Sequence, residues 1–359
     1  MFWSKSHPRP TPPDEKSAGA LLSGLFEIHA VWVHRSTVLA RGRLLGHAEL
    51  ALQVIEEGAR ARDWTVLIEP MEGEHLLILE TKSAKRFPWL ALSLFLLTLV
   101  SVVLIRPATM GSLPGQRFWD LVIQELPFAY ALLPILLAHE FGHYLAARRH
   151  DYTASLPYFI PGVFPFGTFG AVIVARHPFR DRRVLFDVAV SGPLAGFVVA
   201  VPVVWLGLAH SQWVQIPEGA GMTVWDPLLM KLFARWTLGP SPGEGWDVLL
   251  HPAAFGGWAG LFVTMMNLLP FGPMDGGKTV YALFGRSQRW IAYTCWALLA
   301  CTLFVSPFWT VWLCLALVFR LPHPPTLNDG PALDRTRQWV GAAVAVVFLL
   351  TFMPFPFSI

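Results

Sequence analysis

The chain has 359 residues, 54% of them hydrophobic and 14% charged, with a net charge of +3 and a mean hydropathy of +0.49. Soluble domains are about 25% charged, so a wholly soluble enzyme is excluded, as are a disordered chain and, with three Cys, a disulfide scaffold. The small net charge gives no footprint for a nucleic-acid partner.

The charges are unevenly spread: residues 1–86 hold 11 Lys/Arg and 11 Asp/Glu, and the long apolar runs come after them. Residues 1–23 begin Pro-rich and polar and read as a flexible tail. Residues 24–86 then read as a small cytoplasmic α+β domain. Apolar runs at Leu25–Val33, Trp64–Ile68 and Leu76–Leu79 predict strands, Pro70-Met71-Glu72-Gly73 a turn, and His47–Arg62 a helix. With no metal or phosphate motif, this domain reads as a docking or regulatory module.

Residues 87–359 carry seven apolar stretches: Phe87–Ile105, Pro127–Ala147, Val184–Ala209, Pro252–Leu269, Trp290–Val305, Phe308–Phe319 and Trp339–Phe357. Measured against the ~20 residues that cross a bilayer, they predict an all-α polytopic membrane protein. About six to seven transmembrane helices are expected, with a small membrane-associated β segment. With the N-terminus inside, the inner loops hold twelve Lys/Arg and the outer loops four, which places the N-terminal domain in the cytoplasm. In the outer loop, Trp225, Leu228, Leu229, Leu232 and Trp236 recur at helical spacing.

The second stretch contains His139-Glu140-Phe141-Gly142-His143. Histidines four apart on a helix project from one face and can meet one Zn²⁺, leaving a coordination position open. Glu140 stands where it can take a proton from water at the metal. Such a motif arises by chance roughly 0.01–0.02 times in a chain of this composition, and ionisable groups in a span are costly unless used. A third ligand is needed. Position 149 is Arg, which excludes the three-histidine pattern, and Glu218 and Glu244 fall in the outer loop. Asp275, in Asn267-Leu-Leu-Pro-Phe-Gly-Pro-Met-Asp275-Gly276-Gly277, follows the fourth stretch on the side of the two histidines. It is taken as the third ligand over the surface turn that an isolated Asp-Gly usually marks. Gly192 and Gly196, four apart in the third stretch, read as helix packing.

With these residues the chain resembles the site-2 protease family of intramembrane zinc metalloproteases, and within it the cyanobacterial and plastid branch without PDZ or CBS domains. His139–His143 and Asn267 through Gly276 carry the likeness. Gly167-Thr168-Phe169-Gly170-Ala171 and Ser191-Gly192-Pro193-Leu194-Ala195-Gly196 support it more softly. The resemblance implies one Zn²⁺ per chain on His139, His143 and Asp275, and intramembrane cleavage of single-span membrane proteins with Glu140 as catalytic base. It further implies substrate binding by Asn267 and by an edge strand containing Gly167, Phe169 and Gly170, and a multi-pass location in a bilayer. The 21 Arg against six Lys suggest a GC-rich bacterial genome, and the expected location is a bacterial cytoplasmic membrane. Two alternatives stand beside this reading: a metal-binding transporter or chaperone without catalysis, and a prenyl-protein-processing membrane zincin, which the lack of a downstream Glu disfavours.

Overall fold

The computed structural model describes residues 11–34, 37–71, 74–81, 88–110, 117–150, 152, 154–163, 166–174, 179–215, 223–304, 307–326, 329–330 and 332–358. The start of the expected tail, the tip of the turn at Glu72-Gly73 and Glu218 lie outside them. The chain divides into two compact units, one before Pro88 and one after it.

The first unit opens with α1 (Glu15–Leu22), inside the segment read as a tail. Its start is set by Asp14 and Ser17, each accepting a hydrogen bond from the other's backbone N–H, a reciprocal capping box. Then follow β1 (Phe26–His34), β2 (Thr37–Leu44), α2 (Ala48–Arg60), β3 (Trp64–Met71) and β4 (Glu74–Thr81). The chain turns from α2 into β3 through Asp63 at φ 57°, a left-handed conformation that Asp tolerates. The four strands form an antiparallel sheet in the order β1-β2-β4-β3. Register Val38↔Leu79 and Ala40↔Leu77 puts these four side chains on one face, where they pack with Leu22, Ile55, Ala59 and Trp64. Strand β2 has no counterpart in the sequence reading. Its TVLARGRL run, with two Arg and a Gly, lacks clean alternation, and pairing on both edges supplies what local pattern does not.

The second unit contains α3 (Trp89–Met110), α4 (Phe118–Arg149), the hairpin β5 (Tyr158–Pro161) and β6 (Thr168–Val172), and α5 (Arg182–Ala209). Next come β7 (Gln212–Gln215), β8 (Thr223–Val224), α6 (Leu228–Thr237), β9 (Trp246–Leu249), α7 (Pro252–Asn267) and α8 (Asp275–Phe284). The chain continues through α9 (Gln288–Cys301), α10 (Trp309–Val318), α11 (Arg335–Thr351) and β10 (Phe357–Ser358). Strands β7 and β9 pair, as do β8 and β10. The core lies among α4, α5 and α7, around Phe128, Leu132, Val204, Trp258 and Ala259. A Cβ at Gly256 would stand 2.7 Å from the Phe128 carbonyl oxygen, so α7 meets α4 at a distance only glycine permits.

The all-α body with six or seven transmembrane helices is corrected. Among the described residues only α4 and α5, with 32 and 28 residues, are long and apolar enough to cross a membrane. The helices α7, α9, α10 and α11 have 16, 14, 10 and 17 residues. At 1.5 Å per residue these run about 24, 21, 15 and 26 Å, short of a ~30 Å hydrocarbon core. The apolar part of α3, Trp89–Ile105, also falls short, and paired strands occur in both units. Composition misled because an apolar run records burial, whether against lipid or against other helices. Leu268 and Leu269, counted into the fourth stretch, lie past the end of α7 in a turn and are buried among protein side chains.

Truncating Ile55 to Ala, fully buried under the sheet of the first unit, should destabilise that unit by about 2–5 kcal/mol. Hydrogen exchange at residues 38–40 and 77–79 would read this as lost protection.

Candidate metal centre

His139, Glu140 and His143 stand in the C-terminal third of α4, and Asp275 is the first residue of α8. On α4, His139 Nε2 and His143 Nε2 are 3.2 Å apart. Asp275 Oδ2 lies 3.0 Å from His143 Nε2 and 3.5 Å from His139 Nε2. Four ligands at about 2.0–2.1 Å in a tetrahedron are separated by roughly 3.3 Å; the three observed separations bracket that value. The donor set, two imidazole nitrogens and one carboxylate oxygen, fits zinc with a position left open, and His139, Glu140 and Asp275 are all buried.

The chain builds this approach with specific local choices. Pro270 and Pro273 separate α7 from α8, and the loop between them is pinned from outside. Gln288 donates through Nε2 to the Pro270 and Leu321 carbonyls, and Gly272 N–H donates to the Leu321 carbonyl. Gly276 and Gly277 let the first turn of α8 tuck under this loop. A Cβ on either would stand 2.0 Å from the Leu268 oxygen or 1.9 Å from the Phe271 oxygen. Asp275 therefore emerges at a fixed place.

A supporting set of contacts orients the ligands. His143 Nδ1 lies 2.7 Å from the Val188 carbonyl of α5, which accepts only, so the proton belongs on Nδ1 and Nε2 is freed for a metal. Lys278, one helical turn past Asp275, donates to Asp275 Oδ1 at 3.0 Å and leaves Oδ2 to the imidazoles. Burial alone would raise the Asp275 carboxyl. The positive charge and hydrogen-bond donors around it, Lys278 Nζ at 3.0 Å among them, outweigh it and hold the group well below the ordinary carboxylate range. Gly192 faces His143 so closely that a Cβ there would stand 2.1 Å from Nε2, whereas one at Gly196 would lie 3.2 Å from the His139 Cβ.

Asn267 Nδ2 is 3.3 Å from His139 Nε2, beside the ligand cluster. Gly167 and Gly170 have their hydrogen bonds elsewhere. The Gly167 carbonyl accepts from Ser101 Oγ of α3 at 2.5 Å and from Gly162 N at 3.0 Å, and Gly170 N donates to Thr168 Oγ1. Phe169 is exposed. Sequence reasoning missed Lys278, Val188 and Gln288, and read Gly192 as packing alone. Of these only Lys278 carried a local signal, its i+3 spacing from Asp275.

Residues 127–301, which include the whole ligand set, match the Peptidase family M50 model. The chain is 32% identical over 248 residues to "Probable zinc metalloprotease EGY1, chloroplastic" of Arabidopsis thaliana, 67% of this chain and 44% of that protein. It is 35% identical over 250 residues to the Oryza sativa subsp. japonica protein of the same description, 67% of this chain and 42% of the relative. Arabidopsis "Probable zinc metalloprotease EGY2, chloroplastic" is 29% identical over 246 residues, 67% of this chain and 43% of the relative. The chain spans less than half the length of each. The ligand set and these likenesses mark residues 127–301 as a domain of peptidase family M50, the site-2 protease family, and its cofactor is Zn²⁺.

Gly192→Ala should displace the His143 imidazole and weaken zinc affinity about 10–100-fold, with Gly196→Ala costing less. Lys278→Met should weaken it in the same range by freeing Asp275 to rotate. Chelator competition followed by metal analysis ranks the three.

Proposed function

We propose that the protein is an intramembrane zinc endopeptidase that cleaves single-span membrane proteins within or near their transmembrane segment. The observation that carries this reading is the His139–His143–Asp275 cluster, whose two histidines stand with Glu140 on a helix long and apolar enough to span a bilayer. His143 lies six residues before Arg149 at the end of α4, about 9 Å along the axis, so the site lies just inside one end of that helix.

Bound zinc supplies Lewis acidity, polarising a carbonyl and making water acidic near neutral pH. Glu140 accepts the proton of the attacking water on a carboxylate oxygen and returns it to the leaving amine nitrogen. Its neighbour His139 would hold the metal from the same helical turn, which places the base beside the ligand set. Lys278 and the Val188 carbonyl keep Asp275 and His143 aimed while charge redistributes. Asn267, 3.3 Å from His139, has a side-chain amide able to hydrogen-bond a substrate backbone entering the cluster.

A substrate helix keeps its carbonyls engaged, so it must unwind before attack, and its freed backbone groups need partners. Strand β6 pairs with β5 on one edge, and the opposite edge suits strand addition. Gly167 fixes the start of that strand against α3, and exposed Phe169 and Val172 are available to grip substrate side chains.

Glu140→Gln is the decisive variant. It should retain zinc and fold yet lose at least about a hundredfold in cleavage of a single-span model substrate. A variant that loses zinc binding but still cleaves, or a Glu140→Gln protein as active as wild type, would remove the reading. Retained activity would favour a binding or transport role for the same ligands.

A further inference from the structure

The second unit contains a cavity of about 670 Å³ between α8 and α11, within the range of small-molecule sites. Its wall along α8 runs from Gly276, next to a zinc ligand, to Phe284, about 12 Å along the axis. Val280, Ile291, Val344, Ala345 and Phe348 make most of the remainder apolar.

Three polar side chains line it: Arg182, Thr279 and Gln338. Gln338 is spent, its amide donating to the Leu333 carbonyl. Arg182 is anchored at the end of α8 by Nε and Nη2, which donate to the Ala282 and Leu283 carbonyls. Thr279, only 3% exposed, has a hydroxyl with no hydrogen-bond partner. A Thr in a helix ordinarily bonds the carbonyl four residues back, and leaving the group orphaned in a buried place costs stability. Thr279 stands one turn before Leu283, whose carbonyl Arg182 caps, and both Thr279 and Arg182 line the same cavity. Both groups are donors and one is cationic. The complement is an anionic acceptor head followed by a stretch of hydrocarbon.

We propose that this cavity binds a long-chain fatty acid, its carboxylate between Arg182 and Thr279 and its acyl chain along α11. Such a ligand satisfies the orphan hydroxyl, neutralises a partly buried cation and fills an apolar space that water occupies poorly. It would rest against the helix that carries Asp275.

The test uses the full chain in phosphatidylcholine nanodiscs and palmitic acid carrying a diazirine at its chain end, photolysed and mapped by mass spectrometry. It needs neither zinc nor cleavage, so it stands or falls apart from the protease reading. Adducts should concentrate on residues 344–348 and disappear under excess unlabelled oleic acid. Ala345→Phe should abolish them by filling the cavity. Thr279→Val should weaken capture about tenfold while leaving thermal stability unchanged or raised, because the hydroxyl has no partner to lose. Should Ala345→Phe fail to fold, Thr279→Val decides alone. Adducts scattered without competition over the lipid-facing helices would overturn the proposal. So would a palmityl alcohol probe captured as well as the acid, or Thr279→Val binding as wild type does.

Discussion

Three electron-pair donors lie 3.0–3.5 Å apart in a buried place, and that crowding governs the second unit. The Val188 carbonyl claims the Nδ1 proton of His143, so its other nitrogen turns toward a carboxylate oxygen that is held ionised. Acceptor facing acceptor at 3.0 Å is unfavourable without a positive charge between them. Zinc would satisfy all three groups at once and would then contribute to holding α4 and α8 together. Lys278 occupies the oxygen that points away, which leaves Oδ2 to the cluster.

Holding donors this close demands that backbones approach closely as well. Gly192 clears the face of α5 for the His143 ring, and Gly142 does the reverse, since a Cβ on it would stand 2.5 Å from the Ser191 oxygen. The two glycines lie opposite each other where α4 and α5 pass the metal site. On α8, Gly276 and Gly277 serve the same end against the loop that follows α7. The small residues around the motifs are therefore part of the ligand geometry, and a methyl group in the wrong place acts on the metal without touching a ligand's chemistry.

What could be read in the sequence was whatever is local in the chain. His139 and His143 are four apart on one helix, so their common face follows from helical periodicity alone. Asp275 lies 132 residues beyond His143, yet it could be reached by elimination among the few acidic residues left in an apolar region. Gly192 could not, because its partner ring lies 49 positions earlier and nothing near Gly192 announces it. Strand β2 was hidden because its two Arg and a Gly interrupt the alternation that marks a half-buried strand. The count of spans failed for a different reason: hydropathy measures avoidance of water, and the protein core satisfies that as well as lipid does. The indoles make the same point. Trp258 and Trp309 are fully buried, with their N–H groups donating to the Trp225 and Pro354 carbonyls.

Burial of the site has a chemical consequence that follows from the same geometry. Away from water, the attraction between a cation and developing negative charge is stronger than at a surface, so a ligand set shielded by α5 and the loop after α7 makes a stronger electrophile. On the proposed reading the same shielding would bar a folded helix, whose carbonyls are already engaged, and an extended substrate in an apolar place would need a strand beside it. Among the described residues β6 pairs with β5 alone, which leaves its second edge for that role. The loop ahead of Asp275, pinned by Gln288 and by Leu321, holds that ligand in place, so the cluster is rigid on the metal side.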